Sequence, residues 1–384
     1  MPRVKVTLLV PNLSGNNMYR TFLLYRALEG HYDVNIVGFL KGATIWQPLA
    51  SEDISIQAFP LRGWLGLVGS VFKLLPSIKG SVVIACKPRI TSYGVALLSR
   101  LIQRTPIILD IDDDELAMTK PPASVSFFTA LLFNLKHPDG YWSTRFLHRY
   151  RRSANHAFCV SEHFRKIYGG SIVPHGQDPA VFDPARFDRD SVRAELGVTG
   201  RFVVVFVGTP RPHKGLEVTL EGLARSGVVS ACALIVGVSS NDGFLAGLMR
   251  KYGNLIVALP PQPATEVPRY LAAGDAVVLA QSLSAESMGQ MPAKLTDAML
   301  MGLPVIATRI SDIPRYLDGC GILLDQPTPE LIGGAISYLA AHPEDAKSMG
   351  ITIRQQALGR LTFNAMLDQM SAILHSKMHQ NSKP

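Results

Sequence analysis

The sequence lacks the long apolar segment that a membrane-spanning helix requires. Its longest apolar candidate, Val125–Leu135, is well short of the roughly 18 residues that such a helix needs. The first apolar run, Val4–Val10, is followed by Pro-Asn-Leu-Ser-Gly without a small-residue cleavage site, and it predicts a strand instead of a signal peptide. These absences favour a cytoplasmic protein, with peripheral attachment to the inner face of the membrane as a further expectation.

Cysteine is also scarce, and no two cysteines form a Cys-x-x-Cys pair. The four are Cys86, Cys159, Cys232 and Cys320, and the first three lie in apolar, strand-like runs. This distribution argues against a zinc site and indicates buried, reduced thiols. A Gly-x-Gly-x-x-Gly motif is missing as well, so the sequence gives little support to a dinucleotide site.

Acidic residues are absent between Asp53 and Asp110, where seven basic residues lie. The same stretch contains the apolar segment Trp64–Leu75, and a second segment, Arg145–Lys166, carries six basic residues and one acid. Basic charge beside apolar helix predicts an anionic membrane surface as a partner. Nucleic acid ranks below it, because no zinc-finger, RNA-recognition or helix-turn-helix signature is present. The alternative is that these helices belong to the core and their basic residues only confer solubility.

The chain is long enough, and apolar enough, for two domains with large cores. It has 384 residues, of which 47% are hydrophobic, and a domain commonly takes about 150 residues. Apolar strand-like runs alternate with helical segments in both halves, which is typical of doubly wound α/β domains. We place the domain boundary within Asp183–Gly200, after a proline-containing linker.

One stretch, Gly274–Leu317, reads as a complete βαβ unit. An apolar strand at Asp275–Ala280 is followed by a polar loop, a helix with Pro292 as its first residue, and a second strand at Leu303–Thr308. Ligands of such sheets bind beyond the carboxyl ends of the strands, and free N–H groups at a helix N-terminus attract phosphate. Lys294 and Asp297 share one face of this helix, where they could hold phosphate and sugar hydroxyls. The competing interpretation is an ordinary solvated pair.

A second candidate phosphate site follows the apolar run Phe202–Gly208. The loop Thr209-Pro-Arg-Pro-His-Lys-Gly215 connects it to a helix that begins near Leu216. A strand, a loop with glycines and a helix in this order can hold phosphate groups. Lys214 would reach a pyrophosphate, and Arg211 could bind the same oxygens in a bidentate manner.

The most unusual local feature is the acidic run Leu109-Asp-Ile-Asp-Asp-Asp-Glu115. Mutual repulsion predicts a raised pKa for at least one of these carboxyl groups where it is partly buried. Three interpretations stay open: a catalytic or sugar-binding carboxylate at Asp112, a divalent metal site formed by Asp110, Asp112 and Asp114, and an acidic turn that caps the next helix.

The segment Gly-Gln-Met-Pro-Ala-Lys-Leu-Thr-Asp-Ala-Met, at 289–299, with the following Met-Gly-Leu-Pro-Val-Ile-Ala-Thr, resembles the donor-binding segment of retaining nucleotide-sugar glycosyltransferases. It is similar to the variant that carries Pro-x-Lys before the acid. This large family is the glycosyl transferases group 1, and its fold is GT-B: α/β, with two doubly wound Rossmann-like domains and a cleft between them. The resemblance implies an acceptor domain at residues 1–185, joined by a C-terminal helix at about 360–384, and a donor domain at residues 198–358.

The resemblance also implies roles for individual residues. Asp297 matches the acid that binds the nucleotide ribose, and Gln262 lies where relatives contact the base. Catalysis would depend on Lys214 and Arg211, which stabilise the departing diphosphate, and on Asp112, which stands where many relatives have a histidine. The donor-binding residues would be Gly15, Gly208, Arg211, Lys214, Gln262, Glu286, Gly289, Gln290, Met291, Lys294 and Asp297.

The implied reaction moves a sugar from a nucleoside diphosphate sugar to an acceptor, without metal or cofactor. The acceptor would be a glycan, a lipid-linked glycan or a small molecule. Two alternatives stay open: a nucleotide-sugar epimerase of the same fold, and a non-catalytic protein that binds sugar nucleotides.

Overall fold

The structure, a computed structural model, describes residues 3–50, 52–122, 124–239 and 242–381. The chain divides into two compact units. An N-terminal unit holds the residues up to His175 together with those from Phe363 onward, and a C-terminal unit holds Gly176–Thr362. Each unit is built on one parallel sheet, and the prediction of two Rossmann-like α/β domains is therefore confirmed.

The sheet of the N-terminal unit has the strand order β3-β2-β1-β4-β5-β6-β7. Its strands are β1 (Lys5–Val10), β2 (Asp33–Leu40), β3 (Ile56–Pro60), β4 (Val82–Cys86), β5 (Ile107–Ile111), β6 (His156–Cys159) and β7 (Ser171–Ile172). All five residues of β4 and of β5 are buried. Parallel strands that are covered on both faces are continuous apolar runs, which explains why these segments were recognisable in the sequence.

The helices of this unit connect successive strands, and one more comes from the end of the chain. They are α1 (Asn17–Leu28), α2 (Gly63–Leu74), α3 (Val95–Gln103), α4 (Glu115–Thr119), α5 (Phe127–Lys136), α6 (Tyr141–Arg149), α7 (Glu162–Tyr168) and the C-terminal helix, Phe363–Asn381. The C-terminal helix packs against α1.

The sheet of the C-terminal unit has the order β10-β9-β8-β11-β12-β13. Its strands are β8 (Phe202–Val207), β9 (Ala231–Val236), β10 (Ile256–Leu259), β11 (Ala276–Leu279), β12 (Val305–Thr308) and β13 (Ile322–Leu324). Its helices are α8 (Arg189–Glu195), α9 (Leu216–Arg225), α10 (Gly243–Tyr252), α11 (Val267–Ala272), α12 (Ala293–Leu300), α13 (Ile313–Leu317), α14 (Pro329–Ala341) and α15 (Pro343–Arg360), so that the C-terminal helix is α16.

In both sheets the order of the strands reverses at one point. The reversal lies between β1 and β4 in the first sheet and between β8 and β11 in the second. Loops that leave the carboxyl ends of the two strands at such a point diverge and open a crevice, which is where ligands of open α/β sheets bind. The topology therefore defines one candidate ligand position in each unit.

The observed division comes earlier in the chain than the boundary predicted within Asp183–Gly200. The residues just after His175 pack into the C-terminal unit: the Gln177 backbone N–H donates to the Leu361 carbonyl, and the Arg354 guanidinium donates to the Phe182 carbonyl. The prolines of this stretch indicated a linker, but its backbone is held by contacts that are distant in sequence.

The basic segment Arg145–Lys166 is not one surface helix. The buried strand β6 divides it, with α6 before it and α7 after it. Arg151 donates to the carbonyl of Ile167, and Arg165 is paired with Glu162. The basic residues of this segment are therefore divided between the chain before β6 and the chain after it.

Within the residues that the structure describes, no helix is both long enough and apolar enough to span a membrane. The four cysteines are free and buried.

Candidate active site

The loops that follow β8 and β11 meet at the reversal point of the C-terminal sheet. Gly215 has a left-handed backbone (φ +71°), and a Cβ atom on it would lie 1.7 Å from the carbonyl oxygen of Ala280, which directly follows β11. Only glycine permits this approach. The Ser282 N–H also donates to the His213 carbonyl, so the two loops form one continuous surface. Gly208, at the start of the first loop, is left-handed as well (φ +108°).

The predicted phosphate ligands Lys214 and Arg211 both lie on the loop after β8. The Lys214 side chain is half-buried, and its Nζ donates to the carbonyl of Thr209 at 2.8 Å. This bond turns the ammonium group back over the loop. Arg211 is exposed, and its Nη1 lies 3.4 Å from the carbonyl oxygen of its neighbour Pro210, so its guanidinium is open to a ligand.

Lys294, in the first turn of α12, lies beside this loop. Its Nζ stands 3.6 Å from the ring centroid of Phe206 in β8. Burial lowers the pKa of Lys294 well below its usual value, the charge of Lys214 lowers it further, and Asp297 offsets part of the effect. The charged forms of Lys214 and Lys294 thus repel each other at the end of β8, and a bound anion would offset this repulsion.

The first turn of α12 supplies backbone donors at the same place. The helix begins at Ala293, and Pro292 is its N-cap residue, which corrects the prediction that Pro292 is the first helical residue. Gly289 and Met291, which precede it, are buried. The side-chain oxygen of Gln290 accepts a hydrogen bond from Gln281 at 2.9 Å, which ties the loop after β11 to the start of α12.

Asp297 lies one turn further along α12 and is buried. Its Oδ1 accepts a hydrogen bond from the Gln177 side chain at 2.8 Å. A hydrogen bond to a carboxylate restricts its orientation, so Gln177 positions this acid. No local sequence pattern marks Gln177, because it precedes Asp297 by 120 residues.

The two other predicted donor contacts of this unit differ in how firmly they are held. Glu286 is exposed, and hydrogen bonds from Ser284 and from its own backbone lower its pKa. Gln262 follows β10, where its side-chain oxygen accepts a hydrogen bond from the Tyr270 hydroxyl at 3.1 Å and its amide donates to the Pro260 carbonyl at 3.2 Å.

In the N-terminal unit, Gly15 lies in the turn between β1 and α1. A Cβ atom on it would come within 3.0 Å of the Asn12 side chain, and its own carbonyl accepts the N–H of Met18. It therefore packs closely at the reversal point of the N-terminal sheet.

A buried network of charges surrounds Asp112 at the end of β5. The Nζ of Lys87, just after β4, lies 2.9 Å from Asp112, 2.7 Å from Asp113 and 2.8 Å from Glu115. Arg89 forms a further ion pair with Glu115. Lys87 adopts a left-handed backbone (φ 68°), a conformation that costs energy in a residue other than glycine. No sequence pattern marked Lys87 or Arg89 as partners of the acidic run, although both lie in the acid-free stretch.

The carboxyl group of Asp112 in this network has a displaced pKa. Burial raises the pKa of Asp112 to about 7; Lys87 opposes the shift, while Asp113 and Asp110 add to it. The expectation of a raised pKa in the acidic run is met by this residue. A carboxyl group with a pKa near neutrality is suited to proton transfer.

The other acids of the run have different roles. Asp114 caps α4, and its Oδ1 accepts the N–H groups of Leu116 and Ala117. Asp110 is buried and pairs with Arg20. The metal site considered for Asp110, Asp112 and Asp114 is therefore not the grouping that forms. The carboxylates that converge are those of Asp112, Asp113 and Glu115, and the Lys87 ammonium group lies among them.

The C-terminal unit is similar to a known enzyme family. Residues 201–342 match the family model described as glycosyl transferases group 1. This part of the chain is a glycosyltransferase domain. The family match confirms the predicted enzyme class, a glycosyltransferase. No curated protein matched the sequence.

Solved structures support the same fold for the whole glycosyltransferase chain. HepE from Anabaena, in complex with UDP and glucose, has a TM-score of 0.75 at 18% identity, over 97% of this chain and 100% of HepE. Sucrose-phosphate synthase from Thermosynechococcus elongatus has a TM-score of 0.71 at 14% identity, over 99% and 100% of the two chains. WaaG, a glycosyltransferase involved in lipopolysaccharide biosynthesis, has a TM-score of 0.65 at 13% identity, over 96% and 99%. The GT-B fold predicted from the sequence is confirmed.

Proposed function

We propose that this glycosyltransferase moves a sugar, with retention of configuration, from a nucleoside diphosphate sugar to a lipid-linked or membrane-borne acceptor. The observation that carries the proposal is the approach of Lys214 and Lys294 at the joined loops after β8 and β11. HepE, which has the same fold, was solved with UDP and with UDP-glucose, and this supports a uridine nucleotide as the first donor to test.

In the proposed site, the diphosphate lies against Lys214, Lys294, Arg211 and the N-terminus of α12. The negative charge of the diphosphate stabilises the charged forms of Lys214 and Lys294. Their positive charge in turn stabilises the diphosphate as it departs. Asp297 accepts hydrogen bonds from the ribose, with its orientation fixed by Gln177. Gln262 lies near the base, and Glu286 near the donor sugar. The Pro-x-Lys sequence thus adds one cation to the diphosphate site.

No metal or cofactor is required in this proposal. The cationic groups that offset the diphosphate charge are side chains. In the N-terminal unit, the ammonium group of Lys87 lies within 2.9 Å of all three convergent carboxylates, in the position that a cation would take.

A thermal-shift screen with UDP, GDP, ADP and dTDP identifies the nucleotide, and incubation with the corresponding nucleotide sugars and product analysis then tests the reaction. Transfer to an acceptor, or slow hydrolysis with release of the α-anomer, supports the proposal. Formation of an epimer indicates the alternative enzyme class, and binding without turnover indicates a non-catalytic protein.

The variant Lys214→Ala should weaken binding of the nucleoside diphosphate by roughly ten- to a hundredfold. A charge-assisted hydrogen bond contributes about 1.5–3 kcal/mol, which corresponds to this change in affinity. Isothermal titration calorimetry with the diphosphate and with the bare nucleoside checks the assignment. Binding of the nucleoside should be unchanged in Lys214→Ala but weakened in Asp297→Ala, which serves as the contrast. Unchanged diphosphate affinity in Lys214→Ala would exclude this lysine from the site.

We further propose that α2 and α3 attach the protein to an anionic membrane. The exposed apolar side chains of this surface are Leu65, Val68 and Phe72 of α2 and Leu98, Leu101 and Ile102 of α3. Both helices lie in the stretch 54–109, which has seven basic residues and no acid. Exposed apolar helix together with basic charge is complementary to an anionic bilayer surface.

Co-sedimentation with liposomes should therefore require anionic lipid and should decrease as salt is added. Each basic residue near such a surface contributes about 1 kcal/mol, and salt screens this attraction. Replacement of Leu65 and Phe72 by serine should lower binding, whereas replacement of Val229 and Leu283, which are exposed on the C-terminal unit, should not. Equal binding to neutral liposomes, or none to either kind, would contradict the proposal.

A further inference from the structure

The N-terminal unit contains a cavity of about 930 Å³ at the carboxyl ends of its strands. Pro11 and Asn12, which follow β1, form part of its wall, and Arg89, which follows β4, forms another part. The cavity therefore opens at the reversal point between β1 and β4, the position at which this sheet is expected to bind a ligand. None of the donor-binding assignments above uses it.

The charge along the cavity is positive. Two of its basic residues have acidic partners, because Lys41 pairs with Asp139 and Arg89 pairs with Glu115. Three others, Arg62, Lys120 and Lys136, are exposed. Among the side chains that the structure describes, no carboxylate lies within ion-pair distance of these three. The cavity thus presents cationic groups that are available to an anionic ligand.

The same cavity has an apolar side. Met118, Val125 and Phe133 line it, and their exposed fractions are 51%, 36% and 56%. Apolar side chains that line a concave surface beside polar groups are typical of small-molecule sites. A ligand that fits this lining carries an anionic group next to an apolar one.

The cavity also adjoins the network around Asp112. Met118 and Lys120 lie at the end of α4, the helix that begins at Glu115. Arg89 lines the cavity and is ion-paired with Glu115, which also contacts Lys87. A molecule bound in the cavity therefore contacts a residue of the ion-pair network to which Asp112 belongs.

From these observations we infer that the cavity binds the acceptor, and that the acceptor carries a phosphate group beside an apolar chain. Arg62, Lys120 and Lys136 bind the phosphate, and Met118, Val125 and Phe133 contact the apolar chain. This inference rests on the proposed glycosyl transfer only where it calls the ligand an acceptor. The binding chemistry of the cavity does not depend on that reaction. A lipid phosphate combines both groups, whereas a sugar phosphate offers only the first.

Binding of three probes tests the inference without a donor: octyl phosphate below its micelle concentration, glucose 6-phosphate and octanol. Octyl phosphate should bind more tightly than either of the others. The triple variant Arg62→Ala/Lys120→Ala/Lys136→Ala should weaken octyl phosphate by about tenfold or more. The matched control, Lys79→Ala/Arg152→Ala/Lys166→Ala, removes the same charge from exposed residues outside the cavity and should bind like the wild type.

Two further variants and one further ligand make each outcome decisive. Phe133→Ser and Met118→Ser should weaken octyl phosphate but leave glucose 6-phosphate unchanged. Equal affinity for octyl phosphate and glucose 6-phosphate would overturn the apolar half of the inference. Wild-type binding of octyl phosphate by the triple variant would overturn the phosphate half.

UDP binding should be the same in all these proteins; its loss in the triple variant would assign the cavity to the donor instead. If none of UDP, GDP, ADP and dTDP binds even to the wild type, the proposed donor function fails while the cavity result still stands.

Discussion

The variant Asp112→Asn should transfer sugar about a hundred- to ten-thousandfold more slowly than the wild type, which is the usual contribution of a general acid or base. The replacement keeps the shape of the side chain and removes its charge and its ability to accept a proton. Nucleotide binding should be nearly unchanged, because the ligands proposed for the diphosphate belong to the C-terminal unit. Turnover assays with the identified donor, together with calorimetric titration of the nucleoside diphosphate, measure the two effects separately.

The pH dependence gives a second measurement of the same role. The pKa of Asp112 is raised to about 7 by burial, so the carboxylate that accepts a proton forms as the pH increases through 7. The rate of the wild type should therefore rise over this range and then level off, and the rise should be missing in Asp112→Asn. Activity should also persist in EDTA, because the Lys87 ammonium group already lies among the carboxylates, where a metal ion would bind.

Asp114→Asn is the matched control, since this acid lies two positions away and only caps α4. Asparagine is also a good N-cap residue, so stability and turnover should both stay close to those of the wild type. Full turnover in Asp112→Asn would exclude the residue from catalysis. Loss of activity on chelation that magnesium or manganese restores would instead indicate a metal held by Asp112, Asp113 and Glu115.

The sequence was most informative where a strand is buried on both faces. The strands predicted at Phe202–Gly208 and Asp275–Ala280 exceed β8 and β11 by no more than one residue at either end, because a parallel strand in such a sheet is an uninterrupted apolar run. Loops after these strands could then be placed at one edge of their sheet, and this step led to Lys214 and Lys294. Local pattern and topology were sufficient for both assignments.

Interactions between distant segments were not predictable in this way. The contact of Lys87 with Asp113 joins residues 26 positions apart, and it depends on the pairing of β4 with β5. Gln177 was not identified as the partner of Asp297 for the same reason.

Asp110→Ala should lower the free energy of unfolding of the N-terminal unit by about 3–5 kcal/mol, the cost of leaving a buried charge without its partner. Asp110 and Arg20 are almost inaccessible, with side-chain exposures of 0% and 2%. The Arg20 guanidinium donates to Asp110 at 2.9 Å and to the carbonyls of Val173 and Pro174 at 2.9 and 3.0 Å. The pair thus fixes α1 and β5 to the chain that follows β7.

Urea denaturation followed by tryptophan fluorescence measures this loss in the intact protein. The three tryptophans, Trp46, Trp64 and Trp142, all belong to the N-terminal unit, so the signal reports the unfolding of that unit. Asp33→Ala is the control, because its ion pair with Lys5 is exposed and 3.9 Å long; its effect should stay below about 1 kcal/mol.

The double variant Arg20→Met/Asp110→Leu distinguishes a buried charge from a general loss of packing. Because it removes both charges and keeps apolar volume, it should be considerably more stable than Asp110→Ala. If Asp110→Ala unfolds at the same urea concentration as the wild type, the pair does not hold these elements together. If instead the double variant is as unstable as Asp110→Ala, the lost hydrogen bonds of the pair and not the unpaired guanidinium account for the loss.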